Sequence, residues 1–399
     1  MNIKDLKVAL VHDFLDQYGG AERVLEVLAE MFPKAPIFTL LYDKEKMSAQ
    51  GGPALSWLNR EIHTSFLQKF PKFWRQRKKW LLPFMPTAPE TFNLRDFDLI
   101  ITSSGAWSKG IVTRLNTIHI SYLHSPMRFV WDSNEEYLQE KEGSKKIGFL
   151  ARIILNYIRV WDKVAADRPD YLISNSIHTK RRVKKYYGRE SQVIYPPVNT
   201  QHVTCNTQHN KNPSLTLPLE KGENTTNYQL PTTNYFLVVS RLSAYKKIDK
   251  IIEAFNKLEL PLLIVGEGAE EKNLKVIAEK NISFLGFQNE ADLQKIYAGA
   301  RAFIFANEDD FGIAPVEAMS CGVPVLALRK GGVLETVIEG KTGEFFNSNE
   351  PEIIADSVRR FIEKESNYDR ETIKKRANEF SRKIFVENLE GFINKILNF

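Results

Sequence analysis

Short, nearly unbroken apolar runs alternate along most of this chain with stretches whose apolar residues recur every three or four positions. In the first half, residues 8–11, 98–102, 118–123, 171–174 and 192–195 carry the strand pattern, and helical periodicity occupies 21–31, 147–166 and 179–187. The second half repeats the rhythm, with strands expected at 235–240, 261–266, 282–285, 302–305 and 323–327 and helices near 247–258, 269–279, 290–298 and 315–320. Strands apolar on both faces and joined by helices belong to parallel sheets covered on both sides. Two such sets predict an α/β chain of two doubly wound domains, at 1–200 and 235–375.

Residues 201–234 interrupt the pattern. They are rich in Asn, Thr and Pro and have no period, so an inserted, disordered loop is expected at the domain boundary, an ordered hairpin being the alternative. Past residue 346 the pattern is helical to the end. A terminal helix is expected at 376–399, and spacing does not choose between the second domain and a return to the first. The 399 residues are enough for two or three domains with cores of their own.

Charge and cysteine content narrow the class. The balance of 55 basic and 49 acidic residues gives +6, too mild for a dedicated nucleic-acid binder of this length. Cys205 and Cys321 are too few for a disulfide framework or a cysteine-rich zinc site, which makes a reducing compartment the default. The N-terminus lacks a signal-peptide apolar core, and the most apolar long window, 149–164, carries Arg152, Arg159 and Asp162. A cytoplasmic protein is expected, with room for peripheral contact at the inner face of the plasma membrane.

Chemistry concentrates where strands end. In NEDDFGIAPVEAMSCGVPV, 307–325, an acidic loop leads into a helix with Pro315 in its first turn. Gly312 permits close backbone approach, and the amides of Gly312, Ile313 and Ala314 at a helix N-terminus favour an anion. Asp309 and Glu317 could hold sugar and ribose hydroxyls, or merely complement the helix dipole. In VSRLSAYKKID, Arg241 and Lys246 flank a loop at a strand's C-terminal edge and suit a diphosphate. The glycines of GEG, 266–268, carry little information alone.

In the first half, Gly19 and Gly20 separate the first strand from the first helix, the position of a phosphate-cradling turn or of a plain tight turn. His124 follows the strand 118–123 and is a candidate active-site group; His12 beside Asp13 has less support. Between 62 and 89, Lys69, Lys72, Arg75, Arg77, Lys78 and Lys79 are interleaved with Trp74, Trp80 and other large apolar residues. This mixture suits an anionic lipid surface, nucleic acid or a solvated helix with one buried face. Two metal motifs are set aside. Asp96-Phe97-Asp98 precedes a strand instead of following one, and Asp309-Asp310 lacks supporting ligands at useful spacing.

Taken together, GGAERVL, YLHSPMRFVWD, SRLSAYKKID, the 286–325 segment and GGVLETVIEGKTGEFF resemble glycosyltransferase family 4, retaining enzymes of the GT-B architecture. The resemblance covers nearly the whole chain outside 201–234. The string TSFLQKFPKFW…LLPFMPTAPETFNLRDFDLIITSS resembles bacterial mannosyltransferases of O-antigen synthesis. It implies two Rossmann-like domains facing across a cleft. His124 would be the acceptor-side histidine, Gly19, Gly20, Arg241, Lys246 and the 312–314 amides would hold the donor diphosphate, and Phe311 and Glu317 would line the sugar and ribose sites. The family's paired glutamates map to Asp309 and Glu317. The first is a departure that either Asp309 or the neighbouring Glu308 fills.

The implied reaction moves mannose from GDP-mannose to a lipid-linked saccharide at a membrane surface, with no metal, no other cofactor and no nucleic-acid partner. Two alternatives stand beside it. One is an epimerase or phosphorylase on the same fold, and the other a non-catalytic basic module binding membrane or nucleic acid.

Overall fold

The computed structural model describes residues 6–51, 60–132, 145–200 and 234–398. Most of the 201–234 insert therefore lies outside the described residues. Contacts divide the chain into two compact units, Met1–Pro197 with Phe385–Phe399, and Val198–Ile384.

The first unit is a parallel sheet of β1 (Val8–Leu15), β2 (Ile37–Tyr42), β3 (Ile62–Thr64), β4 (Leu99–Ser104), β5 (Ile118–Leu123), β6 (Tyr171–Ser174) and β7 (Gln192–Val193). Its strand order is β3-β2-β1-β4-β5-β6-β7. Helices α1 (Gly20–Met31), α2 (Lys145–Ala165) and α3 (Ile177–Tyr187) supply crossovers. Val24, Leu25 and Leu28 repeat at helical spacing on α1 and bury against Leu10, Ile37 and Ile101 of the sheet. Each such side chain contributes about 1.5–3 kcal/mol on leaving water.

Strands β2 and β3 go beyond the expected set. The first is an unbroken buried run, IFTLL, ending at half-buried Tyr42; the second is a three-residue edge strand with partly exposed side chains.

The second unit repeats the plan. Its strands β8 (Tyr235–Val239), β9 (Leu262–Val265), β10 (Ile282–Gly286), β11 (Ala300–Phe305), β12 (Val325–Leu328) and β13 (Gly343–Phe346) are parallel in the order β10-β9-β8-β11-β12-β13. Helices α4 (Ile248–Leu258), α5 (Glu271–Ile277), α6 (Glu290–Gly299), α7 (Ile313–Ser320), α8 (Pro351–Lys364) and α9 (Arg370–Asn378) connect and cover them. Phe236, Ile252, Phe255, Ile264, Ile304 and Leu326 form part of its core.

The expected long C-terminal helix is present, but residues 376–378 belong to the helix before it. α9 stops at Asn378 and α10 (Arg382–Leu397) begins three residues beyond Glu379. At the break, Phe380 is buried against Phe311 at a ring separation of 5.6 Å, and its carbonyl accepts the Val198 N–H at 3.0 Å. A continuous helix would hold that carbonyl in its own ladder. Along its whole length α10 places Phe385, Leu389, Ile393 and Ile396 in the core of the first unit. Among the described residues, no helix is long and apolar enough to cross a membrane.

Candidate active site

In both sheets the strand order reverses once, between β1 and β4 and between β8 and β11. Loops at the carboxyl ends of such neighbours diverge and leave a crevice where doubly wound sheets bind ligands. The candidate residues gather at these two edges.

In the second unit, Ser240 to Ser243 leave β8 and the loop 306–312 leaves β11. Glycines bring neighbouring backbones together here. A Cβ on Gly266, at φ +128°, would meet the Ser240 carbonyl at 2.0 Å, and one on Gly268 the Leu242 carbonyl at 2.1 Å. The Leu242 amide donates to the Glu267 carbonyl at 2.9 Å, fixing the loop that carries Arg241. Only glycine permits that approach. The short GEG string, uninformative as sequence, is the rear wall of this edge.

A second glycine pair holds the acidic loop. The Gly332 amide donates to the Asp309 carbonyl at 2.9 Å, and a Cβ on Gly331, at φ +76°, would lie 2.4 Å from that oxygen. Phe311 is buried beneath, against Phe380. Thus the loop is packed and hydrogen-bonded into place before any ligand arrives.

Lys246 Nζ donates to both oxygens of Asp309, at 2.9 and 2.7 Å. The expected diphosphate cation and the expected sugar-contacting acid are therefore bonded to each other. Arg241 is exposed, and its guanidinium forms no ion pair or hydrogen bond among the described residues. Glu308 is also exposed.

α7 starts at Ile313 with Gly312 as N-cap, two residues earlier than Pro315 suggests, and no side chain caps it. Pro315 is tolerated because the first-turn amides of a helix have no intrahelical acceptor, and the remaining amides favour an anion. Glu317, one turn on, is buried and accepts from Tyr297 Oη at 3.1 Å. Its carboxylate is thereby oriented by α6.

The first unit's edge is built differently. Asp13, two residues before the last of β1, is buried and accepts four successive backbone amides, those of Gly105, Ala106, Trp107 and Ser108, at 2.7, 2.7, 2.9 and 2.6 Å. One carboxylate thus shapes the whole turn after β4. Parallel register places His12 beside Ser103, and Ser103 Oγ lies 3.1 Å from His12 Nδ1 and 2.7 Å from His124 Nε2. His124 is held by its amide on the Ser104 carbonyl, by Asn175 Nδ2 on its own carbonyl, and by its ring against Tyr122.

Gly19 caps α1. Glu22, three residues on, accepts the Gly19 amide at 2.8 Å and faces His12 Nε2 at 3.4 Å, while Gly20 is exposed in the first turn. Burial alone would raise the Glu22 carboxyl. The hydrogen bond from His12, attraction to that ring, its own backbone and His124 outweigh burial and hold it below its ordinary 4.5.

Glu22, Asp13 and Ser103 do not stand out in the sequence. The available signals were a glutamate at the third helical position after a cap and an acid near a strand's end. The decoy Asp98 has a structural task, accepting the Lys7 amide at 2.9 Å at the start of β4.

The basic-aromatic segment divides into two groups. Trp74 is half-buried with Leu67, Leu81 and Met85; Arg75 donates to the Phe70 carbonyl, and Lys78 pairs with Asp16 at 2.7 Å. These three serve the fold as well as the surface. Lys69, Lys72, Arg77 and Lys79 are exposed, beside Phe73, Trp80 and Phe84 at 49, 48 and 43% exposure. The Arg77 guanidinium lies 4.1 Å from the Phe73 ring centroid. Among the described residues, no group of three or more His, Cys, Asp or Glu side chains converges to hold a metal.

Two doubly wound sheets, each with its chemistry at the switch point, have the GT-B glycosyltransferase architecture. The solved structure of Anabaena HepE in complex with UDP-glucose shares the fold over 97% of this chain and 99% of that one, with a TM-score of 0.67 and 18% identity. Residues 18–202 match the model of Glycosyltransferase Family 4, and residues 222–380 that of Glycosyl transferases group 1. Both matches describe glycosyltransferases, one falling largely on each unit of the chain.

Among its relatives, the α-1,3/1,6-mannosyltransferase ALG2 of Dictyostelium discoideum is 25% identical over 65% of this chain and 69% of that one. The O-antigen chain mannosyltransferase B of Escherichia coli is 29% identical over 35% of this chain and 39% of that one. The chain spans 65, 69 and 55% of the lengths of the first three curated relatives it matches.

Proposed function

We propose that this glycosyltransferase moves a hexose, with retention, from a nucleotide sugar to a lipid-linked saccharide, and that the donor is GDP-mannose. The observation that carries the reading is the gathering of Arg241, Lys246 and the N-terminus of α7 at one sheet edge, with Glu317 buried behind them. A diphosphate would take the exposed guanidinium directly and would draw Lys246 from Asp309, freeing that carboxylate for the sugar. Glu317 would hold the ribose. Mannose is supported by the names of the two mannosyltransferase relatives. The solved complex with UDP-glucose makes a UDP-hexose the second donor to try.

In the reaction the acceptor oxygen bonds to the anomeric carbon on the face from which the diphosphate leaves. The carbon–oxygen bond to the phosphate breaks, its electron pair goes to the phosphate, and the acceptor proton follows to that oxygen. Charge on the leaving group is stabilised by fixed cations and helix amides, which need no reorganisation during the step. No metal is required in this scheme. His124, held by Ser103, stands on the acceptor side.

Exposed Phe73, Trp80 and Phe84 with their neighbouring cations would meet an anionic membrane carrying the lipid-linked acceptor. Vesicles rich in phosphatidylglycerol should retain the wild type at low salt and lose a Lys69→Glu/Lys72→Glu/Arg77→Glu variant; equal retention refutes the contact.

The reaction is tested by incubating the protein with GDP-mannose or UDP-glucose and a lipid-linked acceptor in EDTA. Free nucleoside diphosphate with a glycosidic product of retained configuration is expected. Isomerised sugar nucleotide with no release of diphosphate would indicate epimerase chemistry instead.

A further inference from the structure

The web in the first unit carries more than support. Glu22, His12, Ser103 and His124 come from α1, β1, β4 and the end of β5, yet form one unbroken chain of hydrogen-bonding atoms: Oε1 to Nε2 at 3.4 Å, Nδ1 to Oγ at 3.1 Å and Oγ to Nε2 at 2.7 Å. We infer that Glu22 sets which ring nitrogen of His124 carries its proton, acting as a positioning residue through His12 and Ser103. The inference rests on the acceptor-side role proposed for His124.

Counting protons gives the direction. An ionised carboxylate only accepts, so His12 presents Nε2–H to Glu22 and its Nδ1 is a lone pair when the ring is neutral. Ser103 has a single hydroxyl proton, which then goes to His12 Nδ1. The Ser103 oxygen is left to accept from His124, whose proton must be on Nε2. Nδ1 of His124 is thereby the basic nitrogen. A neutral chain has no other arrangement that satisfies every link, and the second oxygen of Glu22 stays on the Gly19 amide at 2.8 Å. The glycine turn and the histidine are thus set by one side chain.

Glu22→Gln reverses the argument without changing the shape. The amide oxygen can stay on Gly19 N–H while the NH₂ faces His12 Nε2, which must then accept. His12 carries Nδ1–H, donates to Ser103, and Ser103 donates to His124 Nε2. His124 becomes the Nδ1–H tautomer.

The test is long-range ¹H–¹⁵N spectroscopy of ¹⁵N-histidine protein at about pH 8, above the ordinary imidazole pKa of about 6.5, with His124 assigned from His124→Asn. The wild type should show His124 as Nε2–H, Glu22→Gln should show Nδ1–H, Ser103→Ala a mixture of the two, and Ser103→Thr the wild-type pattern. Unchanged His119 resonances report that a variant is folded. A folded Glu22→Gln or Ser103→Ala protein with His124 still wholly Nε2–H overturns the inference. Transfer by His124→Asn is read separately. Full activity there would refute the acceptor-side role and leave the tautomer result standing.

Discussion

The two switch-point edges share one topology and differ in how they are held. In the first unit the groups are buried and mutually bonded: Asp13 on four amides, Glu22 on His12, Ser103 between two imidazoles. In the second, backbones are pressed together by glycines, and in front of the buried Glu317 stand one ion pair and a solvent-facing arginine. A site that positions a neutral hydroxyl needs fixed hydrogen-bond direction, which burial supplies. A site for a diphosphate needs positive charge that can be exchanged from water or from Asp309 to phosphate. One fold therefore accommodates two kinds of electrostatics, chosen by the loops.

The largest effect on activity is expected at the second edge. Arg241→Ala should lower kcat/KM for transfer by roughly 10²–10³-fold, the scale for removing a group that stabilises developing charge, with the melting temperature little changed, and Glu317→Ala should lower it as well through loss of the ribose contact. Steady-state kinetics with the donor varied would check this. Undiminished activity would remove the cations from the mechanism.

At the first edge the expected loss is in stability. Asp13→Asn keeps the shape but turns an NH₂ toward amides that need an acceptor. Orphaned buried donors cost about 1–3 kcal/mol each, so a loss of that order or greater is expected in urea titration. Gly331→Ala probes the other edge through the backbone. At φ +76° and 2.4 Å from the Asp309 carbonyl it must displace the acidic loop, and activity should fall more than stability.

Acidity separates the edges next. Burial first, then Arg189 and Arg168, depress His119 to about 3 from 6.5, so that it is neutral in the fold. A lowered folded value means the unfolded chain binds the proton first, so stability is lost as pH falls from 6.5 towards 3. Glu22, also lowered, adds its contribution above the ordinary 4.5 and loses it as pH falls through its folded value. His119→Gln should flatten the upper part of this limb in chemical denaturation from pH 7 to 4. The smallest effect is expected at the surface, where Arg77→Ala removes a half-exposed cation–π contact of about 0.5–1 kcal/mol.

The strands and the second edge were largely legible because their signals are local. Arg241 and Lys246 share one loop, Asp309 to Glu317 one loop and helix, and each follows an apolar run. β2 is equally legible in IFTLLY, whereas β3 is three residues with partly exposed side chains and offers little periodicity. The first edge was legible only as His12, His124 and the glycine turn. Asp13 meets its amides 92 to 95 residues away, and Ser103 meets His12 at a separation of 91. Strand order decides those meetings, and no single stretch of sequence encodes it. The Lys246–Asp309 pair was hidden for the same reason, since both residues looked available for ligand.

That pair also gives the central claim its most direct test: equilibrium binding of GDP, measured by calorimetry, to the wild type, Lys246→Ala and Lys246→Ala/Asp309→Asn. If the diphosphate replaces Asp309 on Lys246, the single variant should bind at least tenfold more weakly, about 1.4 kcal/mol, and the double variant should recover part of the loss because the uncompensated carboxylate is gone. Equal affinity in all three proteins would contradict a diphosphate site at this edge.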